Sequence, residues 1–228
     1  MSGLDLERAR KAHAWDLPPR EATRLQEKLK AGVISTPLAD ESIRYVAGID
    51  VGFPSRKEIA RAAVVVMRYP TMELIAQGLA ELPVTTPYIP GLLSFREVPV
   101  ILRALEELTQ TPDVLMTDSQ GIAHPRRFGL ACHLGVLLDI PTIGCAKSIL
   151  VGGHAPLPEA RGSTAALVDD GETIGAVVRT RAGVKPVYVS IGHRVDLTSA
   201  VRVVLNCGRG YRLPEPARQA HHLASRKF

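Results

Sequence analysis

The chain reads as an α/β protein built on a central mixed sheet, three antiparallel strands continued by parallel ones, flanked by helices. Three observations predict this. Three β-type segments follow one another through short links. A strand–helix–strand unit comes next, with a connection long enough to require a crossover to a parallel neighbour. No internal repeat or low-complexity linker interrupts the 228 residues, so residues 1–228 are expected to form a single domain.

In chain order, residues 1–40 are polar and helical in pattern, with Pro18-Pro19 opening a surface helix over 20–31, and are expected to form a helical appendage to the core. Strands are predicted at 44–53, 61–69 and 73–82, an antiparallel meander. A proline-bracketed loop, TTPYIPG, leads into an apolar-periodic helix over 92–108. A short strand at 113–117, a helix at 128–138 and a strand at 141–145 make the parallel unit. Further β-type runs lie at 174–181 and 187–191, and two helices close the chain at 196–207 and 214–227.

Composition narrows the function classes. The chain is 46% hydrophobic and 22% charged, enough for a sizeable core and too little charge for disorder. No apolar run is long enough to span a membrane, and the N-terminal stretch alternates charge with apolar residues where a secretion signal needs an unbroken apolar one. Cys132, Cys145 and Cys207 are odd in number and form no CxxC pair, which argues against a disulfide framework or structural zinc and fits a reducing, cytoplasmic setting. The formal net charge of +5 permits a polyanionic partner. From Arg202 to Phe228 there are six basic residues, Lys227 among them, against one acid, so this tail carries the whole excess.

Three acids sit where a core is expected. In Tyr45–Phe53, alternation places Tyr45, Ala47, Ile49, Val51 and Phe53 on one face and Val46, Gly48, Asp50 and Gly52 on the other. Asp is depleted in strands, so the charge of Asp50 needs a counterpart, although a strand-end or turn-capping role would also accommodate it. Asp118 follows Val114-Leu115-Met116-Thr117 at the carboxyl end of a parallel strand, where open α/β sheets place ligands and where loop-starting aspartates are also common. Glu97 shares helical spacing with Ile101, Ala104, Leu105 and Leu108. Ser94 and Glu97 also read as a capping box, and Pro99 is expected to delay the regular helix until after it. Three carboxylates converging on a sheet face cannot all stay ionised in an apolar setting. Hard divalent cations, Mg²⁺ or Mn²⁺, resolve the conflict, and paired acids on such ions serve in-line displacement at phosphorus. Spacing alone points no further than a phosphodiesterase.

The segments around these acids, AGIDVGF (47–53), PYIPGLLSFRE (87–97), DSQGIAHPRRFG (118–129), PTIGCAKS (141–148), IGHR (191–194) and GYRLPEPAR (210–218), together resemble the endonuclease V family, in the family's order and over most of 40–222. The resemblance implies a ribonuclease H-like fold and a Mg²⁺-dependent nuclease acting as a monomer on DNA containing deoxyinosine. It would hydrolyse the second phosphodiester bond 3′ to the lesion, leaving a 3′-hydroxyl and a 5′-phosphate.

It also implies residue roles. Asp50 and Asp118 would ligate the metal, with Glu97 completing the acidic cluster. His221 would stand near the metal, although His222 is adjacent, and Lys147 would stand near the scissile phosphate. Pro87, Tyr88, Ile89 and Pro90 would form a stiff strand-separating wedge. Gly91, Gly121, Ile122, Ala123, His124 and Gly144 would line a pocket for the flipped base, and Arg126 and Arg127 would meet backbone phosphates. Ser119 stands where the family usually has glycine, which bears on base specificity. The alternatives are an inosine-specific endoribonuclease and a non-catalytic lesion-binding protein.

Overall fold

The structure, a computed structural model, describes residues 3–54 and 58–226. Lys227, counted above in the basic tail and the last helix, lies outside the described residues. Eight strands form a mixed sheet in the order β3-β2-β1-β4-β5-β8-β7-β6. β1 (Tyr45–Gly52), β2 (Ile59–Arg68) and β3 (Glu73–Pro83) are the antiparallel meander. β4 (Val114–Thr117) and β5 (Thr142–Ala146) continue it in parallel from β1. β8 (Val187–His193) then pairs antiparallel with β5, and β7 (Glu172–Val178) and β6 (Thr164–Asp169) extend that edge.

Each face of the sheet carries its own core. On one face, Ala47, Ile49, Val64, Val66 and Leu115 meet α3 (Leu93–Glu106) and α4 (Leu130–Leu138), with Ala9 of α1 (Leu6–Lys11) in the same cluster. On the other, Val46, Val65, Met116, Ile143 and Val189 meet α5 (Leu197–Asn206) and α6 (Glu215–Ser225). The alternation in β1 is therefore realised: Ala47 and Ile49 face one layer, Val46 the other. A smaller cluster joins Ala22 of α2 (Pro19–Lys30) to Leu92 and Phe95, with Trp15, Leu17, Leu25 and Ile89 against it. The N-terminal residues are thus packed on the α3 layer.

Two local expectations give way. α3 begins at Leu93 and runs unbroken through Pro99. Ser94 does not cap it; it lies inside the helix, where its hydroxyl meets His133 Nδ1 at 2.9 Å. The missing N–H of Pro99 costs one helical hydrogen bond, and the packing of the fully or nearly buried Val98, Val100, Ile101 and Leu102 outweighs it. β6 was not anticipated. It is an edge strand in which only Leu167 is fully buried, and it is joined to β7 by Asp170-Gly171, both at positive φ, the geometry of a tight hairpin turn.

Candidate active site

Register brings the first two acids together. β1 and β4 run parallel with Ile49 opposite Thr117, so the next residues, Asp50 and Asp118, leave adjacent strand ends side by side; the Asp118 N–H donates to Ile49 C=O at 3.0 Å. Gly48 and Gly52 flank Asp50 because a helix lies directly on them. A Cβ on Gly48 would stand 2.1 Å from the Pro216 carbonyl, and one on Gly52 would stand 2.7 Å from the Ala224 carbonyl oxygen. This close approach of α6 to β1 delivers His221, whose Nδ1 donates to Asp50 Oδ2 at 2.7 Å. His222, one residue on, is exposed. The other carboxylate oxygen, Asp50 Oδ1, accepts from Val51 N–H at 2.9 Å.

Lys147, just past β5, places Nζ in contact with Asp118 Oδ2 and 3.3 Å from His221 Nδ1. Ligand atoms of Asp50, Asp118 and His221 all lie within 4.8 Å of one another, so these three side chains can hold a metal ion. The electrostatics fit a cation: burial, then the nearby Asp118, raises the Asp50 pKa despite the His221 hydrogen bond.

Glu97 does not join the other two on one sheet face. It comes from α3, in the opposite layer from α6, and reaches the site from that side. It is 8% exposed. Its pKa is pushed up to about 8, chiefly by burial and then by the charge of Asp50, against a smaller opposing effect of Arg96. It is therefore electrically part of the cluster while standing outside the three-ligand group.

Beside the acids opens a cavity of about 360 Å³, walled by Asp118, Ser119, Gln120, His124, Gly91 and Tyr88 among others, with Lys147 on its rim. Tyr88 is 61% exposed, whereas Ile89 is folded into the cluster with Ala22, Leu92 and Phe95. The loop therefore shows one aromatic edge, and its branched neighbour is the anchor. Gly91, at φ +79°, turns its carbonyl to three donors: Gln26 Nε2 at 3.0 Å, His124 Nε2 at 3.0 Å and Arg126 Nη2 at 2.6 Å. His124 Nδ1 accepts from Arg126 N–H at 3.2 Å, so the ring is the neutral Nε2–H tautomer, in line with a pKa pushed down to about 4 by burial and then by Arg126.

The other residues expected in the base pocket, Gly121, Ile122, Ala123 and Gly144, stand apart from the cavity wall. A Cβ on Gly121 would meet the Ile191 carbonyl oxygen at 2.0 Å, and one on Gly144 would meet Gly121 N at 2.4 Å, so both hold the loop beneath the cavity against the sheet. Ile122 N–H donates to Ile191 C=O, and Ala123 is buried with Leu167 and Ile174. Arg126 and Arg127, expected to meet phosphates, are engaged by the protein. Arg126 bonds Gln26 and Gly91, while Arg127 bonds Glu172 at 2.7 Å and Asp169 at 2.9 Å. The Ser119 hydroxyl shares a 2.8 Å hydrogen bond with Thr117.

Gln26, 1% exposed, escaped the sequence reading. It bridges α2 to Gly91, Phe128 and Arg126. Nothing local in a charged surface-type helix marks it. The stripe Ala217, Ala220, Ala224 on α6 was also passed over, although small residues at helical spacing are a signal of a helix packed closely on a strand that carries two glycines.

The family model described as Endonuclease V matches residues 27–222. A curated Endonuclease V of Nostoc punctiforme is 51% identical over 215 residues, 94% of this chain and 97% of that protein. The crystal structure of the Endonuclease V from Streptomyces avermitilis superposes with a TM-score of 0.88 at 41% identity, covering 92% of each chain. That of Ciona intestinalis Endonuclease V, in complex with a 24mer DNA containing an inosine followed by a ribo-adenosine, superposes with a TM-score of 0.77 at 28% identity, covering 90% of this chain and 95% of that one.

Proposed function

The chain belongs to the endonuclease V family, and from that premise we propose that it is a Mg²⁺-dependent DNA repair endonuclease, a single catalytic unit working as a monomer. It recognises deoxyinosine and hydrolyses the second phosphodiester bond 3′ to it, leaving a 3′-hydroxyl and a 5′-phosphate. The observation that carries this reading is the meeting of Asp50, Asp118 and His221 within 4.8 Å beside an open cavity.

Asp50, Asp118 and His221 would hold the divalent cation, the two carboxylates being the donors that suit Mg²⁺ or Mn²⁺. When bound, it supplies Lewis-acid stabilisation of charge on the phosphoryl oxygens. The protein supplies the rest. Val51 N–H and His221 fix the orientation of the Asp50 carboxylate. Lys147 Nζ, on the cavity rim, offers a positive charge to the phosphate at the bond to be cut. Glu97, whose pKa is raised by burial and the charge of Asp50, would take the proton from attacking water in its ionised form, which the charge of a bound cation favours. Tyr88 fills the gap left by the displaced base, and the cavity behind it, with the Gly91 loop fixed and His124 neutral, receives that base. Ser119 narrows the entrance next to Asp118. The three buried, unpaired cysteines suit a cytoplasmic enzyme. Among the described residues no helix is long and apolar enough to cross a membrane.

The test is nicking of an end-labelled duplex carrying one deoxyinosine, with the cut mapped at nucleotide resolution. Nicking is expected only with Mg²⁺ or Mn²⁺. Asp50→Asn and Asp118→Asn are each expected to lower the rate about a hundredfold or more with lesion binding retained. Variants that still cut like the parent would leave a lesion binder or a different catalytic centre. A second reading, cleavage 3′ to inosine in RNA, draws on the ribo-adenosine in the ligand of the Ciona relative. A matched RNA oligonucleotide nicked faster than the DNA one would favour it.

A further inference from the structure

On the far side of Lys147 from the base cavity lies a second groove, of about 560 Å³. Lys147 and Ser148 line both, and they form the ridge between them. Four of the residues lining the groove are Lys or Arg, namely Lys147, Arg179, Lys185 and Arg212, and none is acidic. The two guanidiniums are fixed by main-chain carbonyls: Arg212 by Pro186 and Lys147, and Arg179 by Pro158, Leu157 and Val184. Carbonyl partners orient a guanidinium without cancelling its charge, and each fork keeps N–H groups beyond those three bonds. Lys185 is exposed at the mouth.

The groove also carries aromatic surface. The Tyr188 ring, packed from behind by the cluster around Leu167 and Ile174, lies 6.1 Å from the ring of His154. A fixed line of positive charge beside two rings is the pattern that binds single-stranded nucleic acid: charges follow the phosphates, and rings stack bases. The Arg212–Lys147 bond joins this line to the residue that faces the scissile phosphate in the proposed function.

We propose that this groove is the track for the nucleic-acid strand leaving the cleaved bond on the side away from the base cavity, the 3′ flank. The direction rests on the reading above, in which the lesion lies 5′ to the cut and occupies the cavity across the Lys147–Ser148 ridge. The track gives the enzyme a requirement for several nucleotides 3′ of the cut, held by backbone charge and stacking with no base-specific contact.

The test reads binding, so it stands independently of whether the chain cuts. Fluorescence anisotropy in chelator follows the full chain on oligonucleotides containing one hypoxanthine, with the 5′ flank constant and the 3′ flank shortened stepwise. For the parent protein, removing the 3′ flank is expected to weaken binding about tenfold. Lys185→Glu and Tyr188→Ser are each expected to bind the long oligonucleotide about tenfold more weakly and to be nearly indifferent to the truncation. Lys185→Gln is expected to lower the slope of log affinity against log salt by about 0.7 on single strands. Lys30→Glu, on the exposed side of α2, controls for a general change of charge and is expected to keep the full truncation penalty. If the Lys185 and Tyr188 variants lose the same factor on long and truncated oligonucleotides, or if shortening the 3′ flank leaves the parent's binding unchanged, the assignment is overturned. Failure of the parent to nick deoxyinosine DNA would overturn the proposed function instead, and these binding ratios would still decide the groove.

Discussion

Tyr88 and Ile89 are neighbours with opposite fates: one ring stands in solvent, while the other side chain is sunk among Ala22, Leu92 and Phe95. The proposed wedge is thus a single side chain on a braced base. Tyr88→Ala is expected to reduce the preference for lesion over undamaged duplex about tenfold, read as the ratio of nicking rates, with cation affinity by calorimetry unchanged. Equal losses on both substrates would refute the wedge. Asp50 and Asp118 were legible because strand alternation and strand ends can be read from the chain. His221 was available only through the resemblance, since its role depends on which side of a helix lands on β1. The commitments of Arg126 and Arg127 were illegible because their partners, Gln26, Asp169 and Glu172, are remote in sequence.

Among the elements, α6 is the one that the site depends on most closely. Its contact with β1 leaves no space at Gly48, so Gly48→Ala must push the helix outward and carry His221 from Asp50. Overpacking of this kind costs about 1–3 kcal/mol. The expected outcome is a lower urea midpoint and weaker divalent-cation binding. Gly153→Ala, where a new Cβ meets nothing within 4 Å, is expected to leave both near the parent values. Trp15→Ala removes part of the cluster beneath Ile89 and is expected to raise KM for lesion DNA more than it lowers kcat, because it loosens the loop without touching the acids. The regularity of the α3 helix through Pro99 and the Asp170-Gly171 hairpin are the two local features not anticipated from sequence. In the first, tertiary burial overrode a local breaker; in the second, a turn signal was present beside a six-residue edge strand with one fully buried residue.

Across the molecule, the meander and the parallel unit were legible because each pairs strands close in the chain, whereas the antiparallel return of β8 beside β5 brings together residues more than forty apart. Acid stability is also a property of the whole, since burial holds two imidazoles neutral. His133, 0% exposed between Ser94 and His13, has its pKa pushed down to about 3, and His124 to about 4. Both would take up protons at an ordinary imidazole pKa of about 6.5 once unfolded. Their contribution to stability is therefore full above about 6.5 and is lost as the pH falls towards the folded values. Urea midpoints are expected to decline between pH 7 and 4.5, less steeply in His133→Asn; an unchanged slope in that variant would remove His133 from the account.

The three residues that would grip the ion stand at positions 50, 118 and 221, and the last of them rides on the helix that follows every other element described. All eight strands of the sheet are therefore synthesised before these three residues can meet. On the proposed reading, nuclease competence comes only after this last helix has emerged, and a chain that stops short of residue 215 leaves β1 without the helix that covers it.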